Sequence, residues 1–167
     1  NGDGTHLISL DNDVCWQAGA LVRLVDAPVD FVAGVYPKRQ DPIEFPLRYL
    51  DRPELWSDPK TGLLEVEAVQ GGFVRYSRAC LERMVEAYAD LRCLSSRSPL
   101  GHLFALFDPL RLSDGRKLGE DFAFCHRWRA IGGEVWIDPE FKMGHTGFKL
   151  FAGNLGDHLR QAMKAAA

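Results

Sequence analysis

Short apolar runs that stop abruptly at acids, glycines or prolines alternate along this chain with stretches whose apolar residues recur at helical spacing. That alternation limits the fold more than any other feature, because strands interleaved with helices build an α/β sheet with ligands at the strand carboxyl ends. Thr5-His6-Leu7-Ile8-Ser9-Leu10 is largely apolar and ends in Asp11-Asn12-Asp13, the pattern of a buried strand. Residues 14–27 place Ala18, Leu21, Val22 and Val25 on one face ahead of Pro28, and predict a helix. Residues 30–36 read as a second strand. Residues 63–69 alternate, with Glu65 and Glu67 on one face, and after Gly71-Gly72 the run Phe73-Val74-Arg75-Tyr76 is again strand-like. Ser77 is a natural N-cap for a helix with the stripe Leu81, Met84, Val85, Tyr88 and Leu91. Residues 120–131 predict a helix stopped by Gly132-Gly133, residues 134–138 a short strand closed by Pro139, and residues 154–165 a last helix.

Two stretches lack such periods. Between residues 37 and 62 the prolines at 37, 42, 46, 53 and 59 predict a long irregular excursion, and residues 93–118 read as a mobile flap. The 167 residues predict a single domain over 1–167 with these two loops. With 20 Lys+Arg against 23 Asp+Glu and no basic block, the chain lacks the electrostatic footprint of a nucleic-acid binder. No apolar run approaches the roughly 20 residues of a membrane span. Cys15, Cys80, Cys93 and Cys125 form no CxxC pair and read as reduced thiols of a cytoplasmic protein. The first residue is Asn1 rather than Met, so a fragment or trimmed chain is expected.

Three short motifs carry candidate chemistry. In Asp11-Asn12-Asp13, two carboxylates two residues apart at a strand end can both reach a hard cation or its waters; the same triplet can also form an Asx turn or cap a helix. In Gly119-Glu120-Asp121, two acids open a helix, where the macrodipole favours them and where a general base could also meet a hydroxyl. In Gly144-His145-Thr146-Gly147, a histidine follows the last predicted strand; beside two aspartates its nitrogen would complete a mixed site suited to Mn²⁺ rather than Ca²⁺. Lys38 and Arg39 could approach phosphate oxygens or stand as a solvated basic pair. Trp56, in the proline-rich excursion, is the best candidate for stacking on a sugar, whereas Trp16 and Trp128 are expected in helices and core.

Taken in order, these segments resemble nucleotide-sugar glycosyltransferases of the GT-A fold, in particular the family 2-like members. Residues 5–13 are similar to that group's strand and DxD motif, Val32-Ala33-Gly34-Val35-Tyr36-Pro37-Lys38 to the next strand, and Val69-Gln70-Gly71-Gly72-Phe73-Val74 to the glycine-bearing strand on the acceptor side. Residues 119–127 followed by 132–139 look like its Glu-Asp helix and succeeding strand, and His145-Thr146-Gly147 falls where many members supply a late metal-binding histidine. The resemblance implies a GT-A-like mixed sheet flanked by helices. It also implies N-terminal truncation, since members place a nucleotide-binding βαβ region before DxD and this sequence starts only ten residues before Asp11.

By the same resemblance, Asp13, with His145 as a further ligand, would bind Mn²⁺ or Mg²⁺ on the donor diphosphate, and Asp11 would sit nearer the ribose or a metal-bound water, with Lys38 among the donor-binding residues. Asp121 would accept a proton from the acceptor hydroxyl of a saccharide or similar acceptor, with Glu120 positioning it, inversion being slightly favoured. Two alternatives stay open. One is a haloacid-dehalogenase-like phosphatase with Asp11 as nucleophile, Asp13 as acid/base, and Lys117 and the Glu120-Asp121 pair as later elements. The other is a truncated binding domain without turnover, for which a homo-oligomer that completes the sheet is one remedy for an open edge.

Overall fold

A computed structural model describes residues 3–166; Asn1, Gly2 and Ala167, which the single-domain expectation included, lie outside the described residues. The chain runs through β1 (His6–Leu10), β2 (Val14–Trp16), α1 (Ala20–Asp26), β3 (Phe31–Gly34), β4 (Leu47–Arg48), β5 (Leu64–Val66), β6 (Ala68–Val69), β7 (Phe73–Ser77) and α2 (Arg78–Ala87). It continues through β8 (Arg92–Leu94), β9 (His102–Phe104), β10 (Leu110–Arg111), β11 (Lys117–Leu118), α3 (Glu120–Ala130), β12 (Val135–Asp138), β13 (Lys142–Thr146), β14 (Leu150–Asn154) and α4 (Leu155–Ala166).

The architecture is mixed α/β. A five-stranded sheet has the order β1-β7-β3-β12-β5, with β3 and β12 parallel and the other neighbours antiparallel. Its central strands are buried on both faces, so most of their residues are apolar. On β3, Phe31 and Ala33 enter one core cluster with Val74, Tyr76, Met84, Phe124 and Trp128 of β7, α2 and α3. Val32, one residue out of phase, enters the opposite cluster with Ala20 and Leu24 of α1, Phe73, Phe141 and Met143. Period-2 alternation thus serves two cores at once. Arg75 on β7 points to the α1 side, 1% exposed, and donates to the carbonyls of Leu24 at 3.2 Å, Val29 at 2.5 Å and Ala27 at 2.5 Å. A buried guanidinium is tolerable there because its donors find acceptors in the turn that ends α1.

The N-cap expected at Ser77 is present: its hydroxyl accepts from the Cys80 amide at 2.9 Å. Several expectations are corrected. β1 is an edge strand rather than a buried one, with Leu7 and Leu10 exposed. Residues 14–27 are not one helix. The chain leaves Asp13 as the three-residue strand β2 and turns helical only at Ala20, because β2 is captured by β13 in a second, three-stranded sheet β14-β13-β2. Trp16 therefore lies on a strand, its ring 5.0 Å from that of Phe73. Residues 93–118, read as a flap, carry two hairpins, β8-β9 and β10-β11. The latter closes through Asp114, whose carboxylate accepts from the Arg116 amide at 2.9 Å. Among the described residues, no helix is long and apolar enough to cross a membrane. The four cysteines are free; burial pushes the Cys80 and Cys125 thiols up to about 12.

Candidate active site

Two backbone pairings assemble the site. At the end of β1, the Asp11 amide donates to the Gly72 carbonyl at 2.9 Å, which continues the β1-β7 ladder by one residue and sets Asp11 against the glycine pair. In the second sheet, His145 lies opposite Val14, and the Thr146 amide donates to the Asp13 carbonyl at 2.8 Å. The β2-β13 register is therefore what carries the late histidine to the early acids, across 132 residues of sequence.

Glycine is needed on both sides of this approach. A Cβ at Gly72 would overlap the carboxylate of Asp11 and the hydroxyl of Tyr36, lying 2.7 Å from Asp11 Cγ. A Cβ at Gly71 would lie 2.9 Å from Asp121 Cγ. The Gly71-Gly72 backbone is thus a thin wall with Asp11 on one side and Asp121 on the other. Asp121 enters from the first turn of α3, whose N-cap is Gly119, and Glu120 beside it is exposed.

Tyr36, buried just past β3, donates its hydroxyl to Asp11 Oδ2 at 3.1 Å, and its ring meets that of His145 edge-on at 4.9 Å between centroids. Its own carbonyl accepts from the buried Gln70 side chain at 2.7 Å. Burial, then the Asp11 charge, push the phenol well above its ordinary range, so Tyr36 stays a donor at all working pH values. His145 Nδ1 lies 3.0 Å from the Pro37 carbonyl. A carbonyl only accepts, so Nδ1 carries a proton and Nε2 is the ring nitrogen that faces Asp13 Oδ2, 3.6 Å away. The Arg39 guanidinium pairs with the same Asp13 oxygen.

Asp121 is held above the usual carboxylate range. Burial is the main cause, and the Glu120 and Asp11 charges add to it, while a hydrogen bond from the Gly71 amide opposes them. A carboxylate so placed is more basic than a solvated one, which suits proton abstraction.

The structure thus gathers Asp11, Asp13, His145 and, across the Gly71-Gly72 wall, Asp121. The Lys38 ammonium is paired with Glu44 of the same loop. Lys117 lies on the β10-β11 hairpin, exposed. Trp56 is 61% exposed in the excursion between β4 and β5. Sequence reasoning gave Tyr36 no role; its place directly before Pro37 at the end of an apolar strand was the one available signal.

The donor set admits a divalent cation. A pair of bonds of about 2.1 Å each spans up to roughly 4 Å, and the Asp13 oxygen and His145 nitrogen are 3.6 Å apart. Among the described residues no three His, Cys, Asp or Glu side chains converge as a closed metal cage. Mg²⁺-like ions do not need one, because they are commonly held by one or two protein groups together with substrate phosphates. Other clefts lie away from these residues. One of about 470 Å³, lined by Asp30, Ser77, Arg83, Trp128 and Trp136, opens at the opposite ends of the strands.

No protein-family model matches the chain. No curated protein matches it either. Among solved structures, it is similar to the crystal structure of A197 from STIV, with a TM-score of 0.49 and 18% identity over 91% of this chain and 68% of that one. A likeness that loose is one of outline and assigns no residue a role.

Proposed function

We propose that this chain is the catalytic region of a metal-dependent glycosyltransferase with a GT-A-like sheet, moving a sugar from a nucleotide-sugar donor to an acceptor hydroxyl, with inversion slightly favoured. One observation supports this reading above the others: two atoms that can each bind a cation, Asp13 Oδ2 and His145 Nε2, face one another at 3.6 Å, while the neighbouring Asp11 acts electrostatically on Asp121, a partly buried carboxylate of raised basicity.

Asp13 and His145 would hold Mn²⁺ or Mg²⁺, which when bound offsets negative charge on a diphosphate leaving group. Asp11, fixed by the Tyr36 hydroxyl, keeps its second oxygen for a donor hydroxyl or a coordinated water. Asp121 takes the proton of the acceptor hydroxyl as the acceptor oxygen bonds to the anomeric carbon. The bond from that carbon to the diphosphate oxygen breaks, and its electron pair leaves with the diphosphate. Glu120, exposed beside Asp121, orients the acceptor.

A thermal-shift screen of nucleotide sugars with and without Mn²⁺ tests the proposal, since a ligand that binds only the folded state raises its apparent stability. The expected result is a metal-dependent shift that Asp13→Ala removes and Asp121→Asn keeps. A shift that survives Asp13→Ala in full overturns the assignment.

A further inference from the structure

We propose that Arg39 is the resident counter-cation of Asp13, displaced by the divalent ion and turned onto the diphosphate when the donor binds. The inference rests on the proposed metal-dependent reading of this site and adds to it a residue with two positions.

The guanidinium reaches the one Asp13 oxygen, Oδ2, that His145 Nε2 also faces, so protein cation and metal ion compete for a single acceptor. A 2+ ion on that oxygen would stand within about 4 Å of the guanidinium charge, and a half-exposed side chain relieves that repulsion by moving away. Arg39 is built to stay close when it moves. Its aliphatic stem lies across Gly147, where a Cβ would come within 3.1 Å of Arg39 Cδ, so the absence of a side chain at 147 is what lets the arm lie over the loop that follows His145. The backbone beneath it is fixed: the Pro37 carbonyl is bonded to His145 at 3.0 Å, and the Lys38 amide donates to the Glu44 carbonyl at 2.8 Å. The exchange is thus a side-chain rotation about an anchored backbone.

The neighbouring cations are otherwise engaged. Lys38 pairs with Glu44, and Lys149 with Asp41. Arg39 is therefore the cation of this corner that faces the acids, and its planar fork matches two phosphate oxygens at once, which an ammonium does not.

Two titrations on the full chain test the exchange. Loss of the free Mn²⁺ paramagnetic resonance signal reports binding of the metal alone, and calorimetry with inorganic pyrophosphate at saturating Mg²⁺ reports diphosphate affinity without a base. Arg39→Ala is expected to bind Mn²⁺ alone about fivefold more tightly than the unaltered chain, the scale of a half-exposed ion pair removed. The same variant is expected to bind pyrophosphate about tenfold more weakly, and Arg39→Lys to keep the unaltered Mn²⁺ affinity while losing pyrophosphate affinity. Mn²⁺ binding that Asp13→Ala abolishes but Arg39→Ala leaves unchanged or weakens overturns the exchange and leaves the metal site standing. Mn²⁺ binding that does not depend on Asp13 overturns both. Circular dichroism of each variant confirms that the fold is intact.

Discussion

Replacing Gly72 by alanine tests the geometry of the acid site most directly. The added Cβ would lie 2.7 Å from Asp11 Cγ, against the roughly 3.5–4.0 Å at which carbon atoms pack, so the carboxylate must retreat by about 1 Å. It cannot retreat and keep its partner, because the Tyr36 hydroxyl is overlapped by the same methyl group and the two are joined at 3.1 Å. Hydrogen bonds to a charged group contribute about 1.5–3 kcal/mol, and Asp11 is exposed, so the lower end applies to stability. Binding should suffer more, since a displacement of about 1 Å at a positioning group can cost about a hundredfold. The expected result is a loss of about 1–2 kcal/mol in urea unfolding with a tenfold or greater loss of Mn²⁺-dependent nucleotide-sugar affinity by calorimetry. Gly4→Ala, with open space around its Cβ, is the control and should change neither. Affinity equal to that of the unaltered chain, with the fold intact, would refute the claim that Gly72 seats Asp11.

Other perturbations separate stability from chemistry. Tyr36→Phe removes the donor to Asp11 and should cost about 1 kcal/mol in urea unfolding while weakening donor binding in calorimetry. For Asp121→Asn, the sign follows from the raised pKa. The folded state binds the proton more tightly than the unfolded chain does, so the ionised carboxylate costs stability above its folded pKa, and that cost fades as pH falls through it toward the unfolded value. The variant should therefore melt at or above the temperature of the unaltered chain at pH 7, lose this advantage in acid, and transfer no sugar; a lower melting temperature at pH 7 would contradict the burial argument. Arg75→Met leaves three carbonyls without their donor and should destabilise by at least about 3 kcal/mol in urea. Trp56→Ala should leave stability within about 0.5 kcal/mol, because the ring is 61% exposed, so any loss of acceptor affinity would report contact with the acceptor.

Much of the main sheet was legible in the sequence. β3 and β7 are buried on both faces and read as apolar runs, and Ser77 and Gly132-Gly133 punctuate α2 and α3 because capping and helix termination are local chemistry. The three motif positions were legible as well, since acids at the end of an apolar run and a histidine between glycines are visible without a structure. The second sheet was not. β2 is three residues long, and its apolar residues also fit the helical period of the stretch that follows, so local preference pointed to a helix from residue 14. β13 contains Lys142, Gly144 and His145, a composition without a strand signal, and becomes a strand only because β2 and β14 complete its hydrogen bonds. The edge position of β1 was equally hidden, because an apolar run does not state how many neighbours it will have.

The chain's own residues determined which groups are candidates for chemistry here, namely two early acids, a Glu-Asp helix start and a late histidine. Tertiary structure alone decided that they meet. The β2-β13 register sets His145 beside Asp13, and the missing side chains of Gly71 and Gly72 let Asp11 and Asp121 close from opposite sides. The physical reason is that residue identity is local, whereas distance between residues far apart in sequence is set by backbone hydrogen bonds and by the space that glycine leaves empty.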